Sequence, residues 1–266
     1  MALTTIQKGN LEYLIAETIN VPHCFTTRFG GVSQGALGAM NLGMHRGDLP
    51  ENVEQNYAIL ADELGFDLQN LVLTHQTHTD IVRTVGKADA KGLDNHAYPV
   101  CDALITNQPG TALVVFAADC TPILLWDPVT GAVGALHAGW RGTAAALAEK
   151  TVQAMVRDFG CDPGNIRAAV GPNIGQCCFE TNSDVPEAMF AALGEQANAF
   201  ITPKKDKYYV NLKGINAAFL QRAGVRDITI ATECTACQPD RFWSHRKVGA
   251  ERGSQGAIIV CKEGTP

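Results

Sequence analysis

Residues 117–143 read AADCTPILLWDPVTGAVGALHAGWRGT, and the pattern of this stretch decides the architecture. Two apolar runs, Pro122–Trp126 and Ala132–His137, flank Asp127-Pro128-Val129-Thr130-Gly131, in which Asp, Pro and Gly each favour a turn. The stretch predicts an antiparallel hairpin. A loop over Asp127–Thr130 pairs residues equidistant from its centre. That register sets Cys120 directly opposite His137, on one face, at the open end of the hairpin. A slip of one residue would send the two to opposite faces, so the expectation rests on the loop. A thiol beside an imidazole at a strand terminus is the start of a metal site.

Downstream, Ala138-Gly139-Trp140-Arg141-Gly142-Thr143 leads into an Ala-rich run predicted to be helical from about Thr143 to Phe159 and closed by Gly160. Gly139 and Gly142 let the backbone approach a ligand. Thr143 suits the helix N-cap, whose free N–H groups attract an anion, and Arg141 adds a guanidinium suited to phosphate or carboxylate. The competing reading is a tight strand-to-helix turn that needs its glycines. Upstream, Thr74-His75-Gln76-Thr77-His78 follows an apolar run. His75 and His78 are three apart and alternate faces in an extended chain, so only one of them can join Cys120 and His137. Two His and one Cys leave a fourth position open, the pattern of a catalytic rather than a structural zinc.

Short apolar runs elsewhere predict strands at Tyr13–Ala16, His23–Thr27, Leu71–Thr74, Ile81–Val85, Ala103–Thr106, Leu113–Ala118, Ala168–Val170, Asp227–Ala231 and Ala257–Val260. Val53, Tyr57, Leu60, Ala61 and Leu64 share one face of a helix stopped by Gly65. Further helices are expected at Val185–Leu193 and Leu212–Ala223. No linker or repeat interrupts the pattern. The expectation is a single α/β (α+β) domain over residues 1–266.

Of the 266 residues, 46% are hydrophobic and 18% charged, a globular composition. Twenty-seven acids against twenty-one bases give −6, which argues against nucleic-acid binding. The N-terminus has no signal-peptide apolar core and no run is long enough to span a bilayer, so a cytoplasmic protein without a membrane partner is expected. Nine cysteines at irregular spacing are not a disulfide framework. Cys234-Thr235-Ala236-Cys237 has no partner CxxC and is not read as a closed zinc site, and adjacent Cys177 and Cys178 read as core packing.

Other tags stand along the chain: Thr26-Thr27-Arg28-Phe29-Gly30-Gly31-Val32-Ser33, Asn41-Leu42-Gly43 with His45, Gly47 and Asp48, Gln76-Thr77-His78, Asp102-Ala103-Leu104, Ala118-Asp119-Cys120, and His137 to Gly142. Gly171-Pro172-Asn173-Ile174-Gly175, Phe179-Glu180, Cys234-Thr235 and Ser244-His245-Arg246 complete the series. In this order they resemble the YfiH-type family, first described as laccase-like polyphenol oxidases and later as zinc-containing purine nucleoside phosphorylases. Thr77 and Arg46 stand where that family commonly has Val, and Lys247 where a second Arg is frequent.

The resemblance implies mixed sheets packed between helical layers, similar to the cysteine-hydrolase-like fold of certain toxins. It implies that His78, Cys120 and His137 hold Zn2+, with Cu2+ a possible substitute. It also implies phosphorolysis of adenosine, inosine, guanosine and methylthioadenosine, and adenosine deaminase activity. Within that chemistry Cys120, His137 and Asp119 are the candidate catalytic residues. Arg28 and Arg141 are candidates for phosphate, and Asn41, His45 and Gln76 for substrate contacts. Two other activities compete for the same residues. Copper-dependent phenol oxidation tolerates the ligand set, but a multicopper laccase needs more His-rich sites than seven histidines without a His-x-His pair supply. A hydrolase that edits peptidoglycan precursors would use Cys120 as nucleophile and His137 as base. A non-catalytic binding protein would need none of this constellation.

Overall fold

Alternation along the central hairpin explains how two sheets come to stack. The computed structural model describes residues 2–262, so the expected span 1–266 runs beyond the described residues at both ends. In chain order the elements are β1 (Thr4–Lys8), β2 (Leu11–Ile15), β3 (His23–Thr26), α1 (Pro50–Leu64), β4 (Leu71–Leu73), β5 (Val82–Thr84), β6 (Ala103–Thr106) and β7 (Ala112–Ala117). The hairpin strands β8 (Thr121–Trp126) and β9 (Val133–Ala138) follow, then α2 (Trp140–Ala144), α3 (Leu147–Phe159), β10 (Arg167–Val170) and β11 (Glu180–Thr181). The chain continues through α4 (Asp184–Leu193), β12 (Ile201–Lys204), β13 (Lys207–Val210), α5 (Leu212–Arg222), β14 (Asp227–Ile230), α6 (His245–Val248) and β15 (Gln255–Val260).

One six-stranded mixed sheet runs β1-β2-β3-β15-β7-β4, and a second runs β14-β10-β8-β9-β6-β5. A small antiparallel sheet, β11-β13-β12, stands apart. In the second sheet Ile123, Leu125 and Leu136 join the apolar cluster of α3, α4 and α5. Leu124, Val133 and Ala135, alternating with them, join the cluster of the first sheet. That cluster also takes Val53, Tyr57, Leu60 and Leu64 of α1. The order is therefore helix, sheet, sheet, helices, the expected mixed sheets between helical layers. His137 shares its parity with Val133 and Ala135, so it lies on the face turned toward the first sheet.

Several expectations need correction. The hairpin pairs Pro122 with His137, which places Cys120 opposite Gly139 rather than His137. The loop is longer than Asp127–Thr130: Asp127 N–H donates to Ala132 O, and Gly131, at φ +74°, donates to Asp127 O. An even slip keeps every side chain on its expected face. The helix expected from Thr143 is two helices, α2 and α3, broken at Ala146 with φ +56°. Thr143 is not a cap but lies within α2, buried, with Oγ1 accepting from Asn216 Nδ2 at 2.9 Å. Cys177 is exposed and Cys178 half-buried, against the core packing expected of both. Strands β1, β11, β12 and β13 were not expected. Among the described residues no helix is long and apolar enough to cross a membrane.

Candidate metal centre and active site

The site sits where the open end of the β8–β9 hairpin meets the turn after β4. Cys120 immediately precedes β8 and His137 lies near the end of β9. His78 arrives on the turn between β4 and β5 with φ +63°, and Asp119, beside Cys120, has φ +83°. A non-glycine residue held in the left-handed region flags each of these two turns as one whose backbone is fixed by its surroundings. His78 Nε2 lies 3.7 Å from Cys120 Sγ, and the His78 and His137 rings are 5.0 Å apart at 75°. The ligand atoms of all three lie within 4.8 Å of one another. His75 is not in this group: its Nδ1 lies 3.2 Å from Tyr98 O.

Asp102, fully buried, organises the group. Its Oδ1 lies 2.8 Å from His137 Nδ1, which leaves Nε2 as the free donor atom of that ring. The same carboxylate accepts from the backbone N–H of Thr77, His78 and Thr79 and from Thr79 Oγ1 at 2.7 Å. One side chain thus orients one ligand and fixes the turn that carries another. Gly139 supplies the space. A Cβ there would stand 2.5 Å from His78 Cδ2 and 3.2 Å from Cys120 Sγ. Burial opposes charge on Cys120, but His137 and then His78 outweigh it and bring the thiol down to about 6. Burial opposes charge on His137 as well, and Cys120 and Asp102 overcome it and raise the ring to about 9. Cys120 therefore favours the thiolate, the form that ligates metal and attacks carbon.

Two cavities meet at this group. A polar one of about 470 Å³ is lined by His45, Arg46, His75, Gln76, His96 and Ser254. An apolar one of about 320 Å³ is lined by Trp140, Ile174, Phe179, Leu212, His245 and Arg246. His78, Cys120 and Arg252 belong to the walls of both. Arg252 was not anticipated from sequence. Its Nη1 donates to Gly253 O and Ser254 Oγ, while its Nε is buried without a partner. Burial first, and the charge of Arg46 next, push it down to about 10.

The other expected residues have varied positions. His45 faces the polar cavity, stacked on His96 at 3.9 Å with Nε2 2.9 Å from Asp94 Oδ1. Gln76 lines the same cavity, but its amide is spent on Phe116, donating to the O at 2.8 Å and accepting from the N at 2.6 Å. Asn41 is fully buried and binds Gly43 O, Asp48, Gly43 N and Ser254 N, so it shapes a loop. Asp119 accepts from Thr235 Oγ1, Ser244 Oγ and Arg246 N and ties the loop before α6 to the Cys120 turn. Arg28 lies outside both cavities, stacked on Trp243 at 3.9 Å and donating to Pro239 O and Gly38 O. Arg141 is exposed, over the Trp140 ring at 4.2 Å, and lines neither.

Comparisons with known proteins bear on the family and the fold. The purine nucleoside phosphorylase of Deinococcus radiodurans is 38% identical over 94% of this chain and 92% of its own. The purine nucleoside phosphorylase YlmD of Bacillus subtilis is 33% identical over 90% of this chain and 88% of its own. The crystal structure of the Bacillus licheniformis hypothetical protein YfiH superposes with a TM-score of 0.90 at 34% identity, covering 97% of this chain and 99% of that one. Residues 22–262 match the sequence profile described as multi-copper polyphenol oxidoreductase laccase. The chain therefore belongs to the laccase-domain family, alongside the YfiH and YlmD proteins.

Proposed function

We propose that this chain, folded as one domain, is a zinc-containing purine nucleoside phosphorylase acting on adenosine, inosine, guanosine and methylthioadenosine, with adenosine deamination as a second activity of the same site. The observation that carries the reading is the junction of an apolar and a polar cavity at His78, Cys120 and Arg252. The names of the relatives supply the reaction class.

His78, Cys120 and His137 would hold the ion. Their donor atoms are close enough to share one, Gly139 keeps the space clear, and Asp102 orients the second nitrogen of His137. Bound there, zinc supplies a Lewis acid with an open position. Trp140 and Phe179 offer apolar surface to a planar base. Arg252 and Arg46, both in the wall of the polar cavity, hold phosphate there. In phosphorolysis a phosphate oxygen forms a bond to ribose C1′ as the C1′–N bond breaks, and the purine leaves with the electron pair. Arginines that already face the phosphate position pay no reorganisation cost as charge shifts. The thiolate preference of Cys120 equally suits a Cys–His hydrolase acting on a peptidoglycan precursor, which would work without metal.

The test is release of hypoxanthine or adenine from inosine or adenosine with and without phosphate, alongside conversion of adenosine to inosine and oxidation of a simple phenol. Phosphate-dependent base release that disappears with the metal is expected. Phenol oxidation without nucleoside turnover overturns the reading in favour of copper chemistry. Amide hydrolysis by metal-free protein overturns it in favour of the hydrolase.

A further inference from the structure

We propose that Cys177, Cys178, Cys234 and Cys237 form a second metal site that holds a single tetrahedral zinc ion, separate from the His78–Cys120–His137 group. The sequence keeps these cysteines in two distant segments, and the fold brings them together. The loop after β10 carries the first pair and the loop after β14 the second, and Asn173 and Cys234 form a parallel bridge between them.

The four sulfurs lie within 4.8 Å of one another, with Cys177–Cys237 at 3.6 Å and Cys178–Cys237 at 3.4 Å. Four thiolates about 2.3 Å from a zinc stand roughly 3.8 Å from each other at tetrahedral angles. The observed spacing suits one ion. It is too tight for the wider sulfur separation of an iron–sulfur cluster, and too long for a bonded pair at about 2.05 Å.

The backbone around the sulfurs is shaped for a ligand set. Cys178 N and Phe179 N both donate to Gly175 O, coiling the chain so that adjacent thiols converge. Cys237 N and Gln238 N both donate to Cys234 O, closing the CxxC into a turn. Gly175 N–H points at Cys234 Sγ at 3.1 Å, a bond that favours the thiolate. A Cβ on Gly175 would stand 3.1 Å from Cys234 Cβ and 3.2 Å from Cys177 Sγ, so the glycine leaves room for the sulfurs.

Binding converts four thiols to thiolates and releases four protons to solvent, leaving the unit with two net negative charges. Two cations stand ready for that charge. Lys213 is buried, its Nζ donating to Ala231 O and Glu233 O at the base of the CxxC loop. Arg246 Nη1 donates to Cys178 O at 2.9 Å. With all four positions filled the ion is structural. It would clasp the loop bearing Ile174 and Phe179 to the loop that leads to Arg246, two sides of the apolar cavity.

The test uses the full chain purified under reducing conditions, as wild type, Cys120→Ser and Cys237→Ser. Cys120→Ser removes a ligand of the other site only. It should retain one zinc per chain, with extended X-ray absorption fine structure fitted by four sulfurs at about 2.3 Å. Cys237 is exposed, so Cys237→Ser should fold and contain one zinc fewer than wild type. Cobalt-loaded Cys120→Ser should show the thiolate charge-transfer bands of an all-sulfur site. A metal-free Cys120→Ser overturns the proposal, as does a mass spectrum joining Cys237 to Cys177 or Cys178 by a disulfide. Should Cys237→Ser fail to fold, the sulfur count in Cys120→Ser alone decides. Because that variant lacks the Cys120 site, the result is independent of whether the chain is a phosphorylase.

Discussion

Asp102 Oδ1 lies 2.8 Å from His137 Nδ1 while the same carboxylate gathers the backbone N–H groups of the turn that carries His78. Asp102→Asn keeps the shape but removes the negative charge and one acceptor. Loss of such an outer partner typically weakens metal affinity by about 10–100-fold. Competition with a zinc chelator should show that loss in Asp102→Asn. Affinity equal to wild type would mean that the carboxylate serves the turn alone.

Gly139 isolates the steric demand of the site from backbone strain. Its φ of −65° suits any residue, but an added Cβ would meet His78 Cδ2 at 2.5 Å. Gly139→Ala should therefore leave the melting temperature of the metal-free protein little changed while weakening zinc binding, because the ligands are pushed out of the productive geometry. A lowered melting temperature of the metal-free variant would point instead to a general packing defect.

Cys120→Ser and His75→Ala should separate ligand from neighbour. A neutral hydroxyl is a poor substitute for a thiolate, so Cys120→Ser should lose the ion of this site together with nucleoside turnover. His75 lines the polar cavity outside the donor group, so His75→Ala should keep the ion. Elemental analysis of both variants checks this, and a His75→Ala protein as metal-poor as His78→Ala would contradict the assignment.

Arg252 is the expected anchor for phosphate. A hydrogen bond to a charged group contributes about 1.5–3 kcal/mol, or roughly 10–100-fold. Arg252→Ala should raise the KM for phosphate by that factor at fixed nucleoside, with Arg252→Lys recovering part of it. Arg141→Ala, outside both cavities, should change it much less. A larger effect at Arg141 would restore the reading made from the helix start.

His23 predicts an acid limb in the stability curve. Burial lowers its pKa, and its Nε2 accepts from Ala16 N at 2.9 Å, so the native ring is neutral. The unfolded ring takes a proton near pH 6.5, as His ordinarily does, while the native one resists until lower pH. The unfolded state then binds more protons, so this contribution is complete above about pH 6.5 and is lost as pH falls toward the lowered native value. His23→Gln should be less stable at pH 7.5 by about 1–3 kcal/mol, from the disturbed buried bond. Its stability should also fall less between pH 7.5 and 5.5. Denaturant titrations at both pH values test this, and parallel losses in the two proteins would rule out His23 as the source.

Much of the sheet framework was readable because buried strands announce themselves as apolar runs. Leu113–Ala118 and Ala103–Thr106 needed no partner to be recognised. The hairpin register was off by two because Asp127 and Ala132 close a longer loop than the turn residues suggested. Cys120 and His137 still met because an even slip preserves the face. The break at Ala146 had no glycine or proline to mark it. His78 reaches the donor group through a left-handed turn, not through the extended alternation used to separate it from His75. Asp102 and Arg252 carried no local signal. Their roles exist only once the segments before β6 and before β15 are brought beside the hairpin. The four-cysteine group was hidden for the same reason, since half of it lies in each of two separated loops.

The β8–β9 hairpin is paired along both flanks, by β10 on one side and β6 on the other. Its strands are therefore held by neighbours and not by their own turn. A short insertion at the exposed tip of the turn should therefore leave Cys120 and His137 in place. At its tip Val129 is 69% exposed, about 20 Å of strand away from the donor atoms. A fluorophore, a surface tether or a short inserted tag belongs there: rigidly attached to the element that builds the centre, yet mechanically insulated from it.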